Sequence, residues 1–217
     1  MSLYRDYRPS TWDSLIGHTQ VVASINRMRD RGTLGGNAFW LTGDSGVGKM
    51  TIAYLIAADV CDPDNFVELD AGEITPAAIT ELENNLRYRC IGSKSGRAVL
   101  LNEVHGLRKD TIRKLLVVLE RIPKHVTWIC TTTCDGQQKL FDGIDAHPLL
   151  SRCFEFKLRT PYGQFAERVK EIAESEGLGG AQLVEYVELA KRCKGNMRQM
   201  LCLVETGDML REETAFA

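Results

Sequence analysis

Short apolar runs alternate with stretches of helical periodicity along the first 160 residues of the chain. The runs predict five buried strands, at 37–42, 66–70, 97–102, 126–133 and 153–158. Between them, apolar residues recur at three- and four-residue steps, which predicts helices at 50–60, 74–88 and 108–121. Strands that alternate with helices in this way favour an α/β fold whose five-stranded, mostly parallel sheet is covered on both faces.

The strand signal disappears from Pro161 onward. Three apolar repeats at helical spacing follow, at 165–172, 183–190 and 197–204. We therefore expect two domains, an α/β nucleotide-binding domain over residues 1–160 and a small three-helix lid domain over residues 161–217.

Composition and charge narrow the class of protein. The chain has 217 residues, of which 44% are hydrophobic and 26% charged, with a formal net charge of −2. These values exclude a disordered, collagen-like or strongly basic protein. The chain contains neither an apolar run of about 18 residues nor an amino-terminal signal core, so we expect a cytoplasmic protein without a membrane span. Any contact with DNA must come from a local basic patch.

The most specific motif is the glycine-rich stretch that joins the first strand to its helix. It comprises Gly43, Asp44, Ser45, Gly46, Val47, Gly48 and Lys49. In this setting it predicts a phosphate-binding loop, because glycines let backbone amides surround phosphate oxygens at a helix N-terminus. Lys49 would reach the β- and γ-phosphates, so ATP is the expected ligand.

The residues that should hold Mg²⁺ are altered. Met50 follows the loop lysine, where a serine or threonine hydroxyl normally binds the ion, and a thioether is a poor ligand for a hard cation. Thr51 is turned about 100° around the helix and cannot simply replace it. At the end of the third strand, Asn102 stands where an aspartate would support the metal, before Glu103 in the position of the base that activates water. ATP with weakly held Mg²⁺ is therefore expected, and ATP hydrolysis is the doubtful activity.

Seven further motifs occur in a fixed order, at 3–18, 66–71, 102–107, 116–126, 130–132, 150–153 and 195–198. They include N-E-V-H-G-L, C-T-T, S-R-C and G-N-M-R, and their positions extend over almost the whole chain. The set resembles the AAA+ clamp-loader ATPases, nearest to bacterial gamma/tau subunits and replication factor C small subunits. Only Cys61 and Cys90 lie where gamma/tau subunits carry a four-cysteine zinc module, so no zinc is expected. No helical collar domain is expected either.

The resemblance implies roles for individual residues. Arg152 would be an arginine finger that reaches a neighbouring subunit's ATP, and Arg198 would contact the phosphates of its own subunit's nucleotide. Thr132 would position water next to the base Glu103. The adenine pocket would be lined by Arg8, Pro9, Ile16 and Gly17. Alternatives stay open: Arg152 as a surface arginine, Arg198 as a solvated helix charge, and Thr132 as an ordinary β-branched strand residue.

A basic segment precedes the third strand. Four cations fall within eleven residues around Tyr88: Arg87, Arg89, Lys94 and Arg97. The resemblance implies that this segment faces duplex DNA, where its phosphate contacts would be independent of sequence and sensitive to salt. A solvated loop is the alternative.

Three classes of function follow. The first is a clamp-loader-like motor that assembles as a homo- or hetero-oligomer and acts on a sliding clamp and primer–template DNA. The second is a nucleotide-binding assembly subunit with little hydrolysis. The third is another AAA+ regulator of DNA transactions, and fold analogy alone does not decide among the three.

Overall fold

A computed structural model describes residues 2–143 and 147–210. It contains one five-stranded parallel sheet. The strands are β1 (Asn37–Thr42), β2 (Phe66–Asp70), β3 (Arg97–Asn102), β4 (Val126–Thr132) and β5 (Phe154–Lys157). Their order in the sheet is β2-β3-β4-β1-β5, and every pair of neighbours is parallel. The predicted α/β class and all five predicted strands are confirmed, with end points within one residue.

Among the described residues, the six helices that the sequence predicts lie close to their expected places, together with four that it does not predict. They are α1 (Leu3–Asp6), α2 (Thr19–Asp30), α3 (Lys49–Val60), α4 (Pro76–Asn85), α5 (Lys109–Leu119), α6 (Cys134–Gly143), α7 (His147–Leu150), α8 (Tyr162–Ser175), α9 (Leu183–Arg192) and α10 (Met197–Glu205). Helix α4 begins two residues later than the periodicity predicts, because Thr75 caps it by accepting a hydrogen bond from the Ala78 amide and Pro76 occupies its first turn. None of the helices in the described ranges combines the length and apolar character that crossing a membrane requires.

The described residues form two compact units. The larger unit contains residues 19–43 and 49–158, and its core lies around the central strands. Strand β4 is buried along its whole length, since it lies between two other strands and is covered on both faces. Trp40 of β1 and Trp128 of β4 are the largest fully buried side chains of the larger unit.

The smaller unit is helical. It contains the described residues from Arg159 onward, the segment that ends at His18, and the loop Asp44–Gly48. Helices α8, α9 and α10 share one apolar core with Leu3 of α1. The three helices predicted after Pro161 are therefore present, and two segments that lie far away in sequence pack with them.

Gly195 offers a test of packing in the smaller unit. It has φ +71°, and a methyl group on it would lie 1.8 Å from Thr160 Cγ2. Gly177 has nearly the same backbone conformation, φ +69°, with no atom within 4 Å of such a methyl. We expect Gly177→Ala to cost about 1–2 kcal/mol of unfolding free energy through backbone strain alone. Gly195→Ala should cost about 1–3 kcal/mol more because of the overlap.

Urea unfolding of the two variants and the parent measures this difference. Equal losses in both variants would contradict the close packing of Gly195 on Thr160.

Candidate functional site

The glycine-rich loop in the smaller unit has a backbone that only glycine adopts readily. Gly46 has φ +75° and Gly48 has φ +110°. A methyl on Gly46 would lie 1.9 Å from Asn196 Oδ1, and the Met197 amide donates a 3.3 Å hydrogen bond to the Gly46 carbonyl. The start of α10 therefore packs directly on the loop. A methyl on Gly48 would meet nothing closer than His18 Nε2 at 3.8 Å, so this part of the loop is open.

His18, which immediately precedes α2, contacts the same loop. Its Nε2 lies 2.9 Å from the Val47 carbonyl oxygen, and its ring packs edge-on against Phe165. Burial lowers the pKa of His18, which favours a neutral ring with the proton on Nε2 for donation to that carbonyl. Sequence reasoning placed His18 within a motif but gave it no role.

Two residues that flank the loop belong to the larger unit. Lys49 is the first residue of α3 and is only 7% exposed, and its Nζ donates a 2.7 Å hydrogen bond to the Gly43 carbonyl. A buried ammonium next to a helix N-terminus suits a phosphate anion. The predicted loop residues Asp44 and Ser45 are exposed, and Val47 is buried. Taken separately, the open glycine backbone and the buried ammonium each suit a phosphate anion.

Strand β3 ends in a hydrogen-bonded turn within the larger unit. Thr131 Oγ1 donates to Asn102 Oδ1 at 2.6 Å, and the Glu103 amide donates to Thr131 Oγ1 at 3.3 Å. Glu103 itself has the left-handed conformation, with φ +54° and ψ +50°. Such a conformation is unfavourable for a residue with a side chain, so its presence marks a constrained position.

Glu103 and Thr132, which were both predicted as catalytic, meet through a residue that was not predicted. His105 Nδ1 lies 3.2 Å from Glu103 Oε2 and 3.1 Å from Thr132 Oγ1. The motif that contains His105 was recognised, but nothing in its spacing indicated that the ring would lie between two strand ends.

The two positions that the sequence assigns to Mg²⁺, Met50 and Asn102, offer poor donors for this ion. Met50 supplies a thioether, and the Asn102 oxygen already accepts the Thr131 hydroxyl hydrogen. No group of three histidine, cysteine, aspartate or glutamate side chains able to hold a metal occurs among the described residues. Thr51 is half-buried on α3. The altered metal site that the sequence indicates stays a prediction.

Arg152 is held by its own chain. Its Nη2 is paired with the Glu120 carboxylate, and its Nη1 donates to the Pro148 carbonyl at 2.7 Å. Its Nε is buried and has no hydrogen-bond partner among the described residues. The hydrogen bond and positive charge of Arg152 lower the pKa of Glu120. Glu120 was part of a motif but was not assigned this contact.

The remaining predicted nucleotide contacts lie in the smaller unit. The Arg198 guanidinium lies 5.4 Å from the centre of the Tyr4 ring and is exposed. Ile16 packs against the helical core, and a methyl on Gly17 would lie 2.5 Å from Pro161. Arg8 is exposed and Pro9 is half-buried. These contacts do not test the predicted adenine pocket, which stays a prediction.

The basic segment divides into two pairs of cations. Arg87 and Arg89 are exposed. Lys94 is exposed too, but its ammonium is hydrogen-bonded to the Ala58 carbonyl, and Arg97 is half-buried at the start of β3. Tyr88 and Ile91 in the same loop are largely or fully exposed, which the sequence alone did not indicate for Ile91. Arg89 Nη1 also donates a 3.2 Å hydrogen bond to Ser95 Oγ, so the contact of this segment with DNA phosphates stays a prediction.

A family model and two curated relatives match this chain. The model for the ATPase family associated with various cellular activities (AAA) matches residues 39–162. The chain is 28% identical to the DNA polymerase III subunit tau/gamma of Haemophilus influenzae, over 94% of this chain and 32% of that protein. It is 26% identical to a replication factor C small subunit of Methanosphaera stadtmanae, over 97% of this chain and 65% of that protein. The expected resemblance to clamp-loader subunits is confirmed, although the chain spans only a third to two thirds of these relatives.

Among solved structures, the fold is similar to the RuvB Holliday junction branch migration motor of Thermotoga maritima. The TM-score is 0.70 at 22% identity, over 92% of this chain and 64% of that chain. At this identity the similarity concerns the fold alone.

The contact between Arg152 and Glu120 predicts a pH-dependent stability. Because the folded pKa of Glu120 is lowered, the pair stabilises the fold above the unfolded glutamate pKa of about 4.3. This contribution is lost as the pH falls through the folded pKa. We expect Glu120→Gln to lower the melting temperature at pH 7, with the difference from the parent shrinking as the pH is lowered through the folded pKa and Glu120 takes up a proton.

Thermal unfolding across this pH range measures the effect. Glu81→Gln, which changes an exposed glutamate of α4, is the control and should track the parent at each pH. A Glu120→Gln difference that is as large at low pH as at pH 7 would exclude the ionised pair as its cause.

Proposed function

We propose a function from one premise: the chain belongs to the ATPase family associated with various cellular activities. It is a clamp-loader-like subunit that binds ATP, assembles with neighbouring subunits of the same family, and acts on a sliding clamp and primer–template DNA in replication. The observation that carries this proposal is the open glycine loop followed by the buried Lys49, in a chain whose relatives are clamp-loader subunits.

Each group has a stated task in this proposal. The loop amides and Lys49 bind the phosphates, because they present donors and positive charge to an anion. Glu103 orients a water molecule and accepts its proton, and Thr132 helps to position that water. Arg152 leaves Glu120 and offers its planar charge to the nucleotide of a neighbouring subunit. Arg198 contacts phosphate from α10.

A second candidate function is favoured by the metal donors. A bound Mg²⁺ would supply charge compensation on the phosphates, yet Met50 and Asn102 offer it little hold. ATP would then drive assembly with slow turnover, in a nucleotide-binding assembly subunit or another regulator of DNA transactions. In either function, Arg87 and Arg89 would contact DNA phosphates, and the exposed Tyr88 and Ile91 would meet the clamp or DNA.

ATP binding is the first test. A ligand that binds only the folded state stabilises it by about 2.7 kcal/mol at a concentration of 100 Kd. We therefore expect millimolar ATP to raise the melting temperature of the parent by several degrees, and Lys49→Ala to abolish the increase. Lys109→Ala, an exposed lysine of α5, should keep it. An unchanged parent melting curve in ATP would refute the proposed function.

Turnover is the second test and separates the two candidates. We expect very slow phosphate release by the parent, and an increase of about tenfold or more, or about 1.4 kcal/mol of barrier, in Met50→Thr with Asn102→Asp. The double change should exceed the sum of the single changes, because both act on one ion. Asn102→Asp keeps an oxygen for the Thr131 hydroxyl, so the turn should survive.

Phosphate release under single-turnover and steady-state conditions measures this, with Thr51→Ala as the control. Brisk Mg²⁺-dependent turnover by the parent would favour the motor and contradict the hydrolysis-poor candidate. Loss of that turnover in Thr51→Ala would identify Thr51 as the substitute ligand.

A further inference from the structure

The ring of His105 joins the ends of two strands. Glu103 follows β3, and Thr132 is the last residue of β4. The Nδ1 atom of His105 lies within hydrogen-bond distance of both, at 3.2 Å from Glu103 Oε2 and 3.1 Å from Thr132 Oγ1. One nitrogen atom therefore connects the two groups that the proposed function places at the reacting water.

The surroundings leave the ring little freedom. A methyl on Gly136, in the first turn of α6, would lie 2.5 Å from His105 Nδ1 and 2.7 Å from its Cγ. The Gly136 amide donates a 3.0 Å hydrogen bond to Thr133 Oγ1, which fixes this turn to the end of β4. Gly136 thus packs against the ring, and any side chain at position 136 would overlap with His105.

The donors and acceptors assign the proton. A carboxylate only accepts hydrogen bonds, so a hydrogen bond between Glu103 and the ring requires the hydrogen to be on Nδ1 of His105. The Thr132 hydroxyl donates to the Thr133 carbonyl at 3.3 Å, which leaves an oxygen lone pair for the same Nδ1–H group. All three groups are satisfied when His105 is the tautomer protonated on Nδ1.

We infer that His105 is a positioning residue, which holds the Glu103 carboxylate beside Thr132 so that the two act on one water. The inference rests on the proposed function. Without the ring, the Glu103 side chain, which is 39% exposed, would be free to turn into solvent. The contact occupies Oε2 of Glu103 and leaves Oε1 to accept from water.

The tautomer of His105 tests the contact without nucleotide. In protein labelled with ¹⁵N at histidine, long-range ¹H–¹⁵N spectra at about pH 8, well above the ordinary histidine pKa, show which ring nitrogen carries the hydrogen. We expect Nδ1–H at His105 in the parent and a shift toward Nε2–H in Glu103→Ala. His125, whose Nε2 lies 3.0 Å from the Leu86 carbonyl, should remain Nε2–H in both and serves as the control. An Nε2–H tautomer of His105 in the parent overturns the inference.

Single-turnover hydrolysis of labelled ATP by excess protein tests the role, in the parent and in the Met50→Thr, Asn102→Asp background. We expect His105→Ala to slow hydrolysis about tenfold or more with unchanged ATP affinity. His105→Asn, whose amide nitrogen replaces Nδ1 as a donor, should recover much of the rate. Gly136→Ala should slow hydrolysis without removing a polar atom, whereas Gly163→Ala, with no atom within 4 Å of the new methyl, should not.

Three results would overturn the inference: a parental rate in His105→Ala, no recovery in His105→Asn, or a loss of rate matched by a loss of ATP affinity. Absence of ATP binding in every variant would instead contradict the proposed function. The tautomer of His105 would then still decide whether the ring holds the carboxylate.

Discussion

The turn at the end of β3 depends on one buried hydroxyl group, that of Thr131. Its hydrogen is donated to Asn102 and its oxygen accepts the Glu103 amide, so a fully buried side chain of the central strand satisfies two polar groups where the neighbouring strand ends. An unpaired amide or hydroxyl at that depth would be costly, which keeps the turn in place. The left-handed backbone of Glu103 is held by this constraint.

The alternation of side chains along β4 then separates two tasks. Successive strand residues face opposite sides of a sheet, so Thr131 and Thr132 present their hydroxyls in opposite directions. The first organises the backbone of Asn102 and Glu103, and the second faces the ring of His105. A strand of apolar character that ends in two threonines thus supplies both a structural and a candidate functional hydroxyl.

The sequence predicts the strands well and locates the glycine loop, because both signals are local. Buried parallel strands are continuous apolar runs, and a glycine loop is read from adjacent residues. The supports of the site are not local. Asn196 contacts Gly46, which lies 150 residues earlier in the chain. His18 contacts Val47 at a separation of 29 residues, and Gly136 packs on His105 at a separation of 31. No periodicity in the chain indicates such pairs. Even for Arg152, the motif predicted a role while the ion pair with Glu120 appeared only in the fold.

Phosphate binding and metal binding have different physical requirements, and this chain satisfies them unequally. Donation from loop amides and from Lys49 needs a suitable backbone and one buried cation, both of which are present. Holding Mg²⁺ needs hard, preferably anionic oxygen atoms. Asn102 retains the oxygen that the Thr131 hydroxyl requires and lacks the negative charge that a cation requires. In the proposed function, the asparagine therefore preserves the architecture of the turn and weakens only the hold on Mg²⁺. Under the proposed function, this combination suits a subunit that responds to bound nucleotide whether or not the nucleotide is hydrolysed quickly.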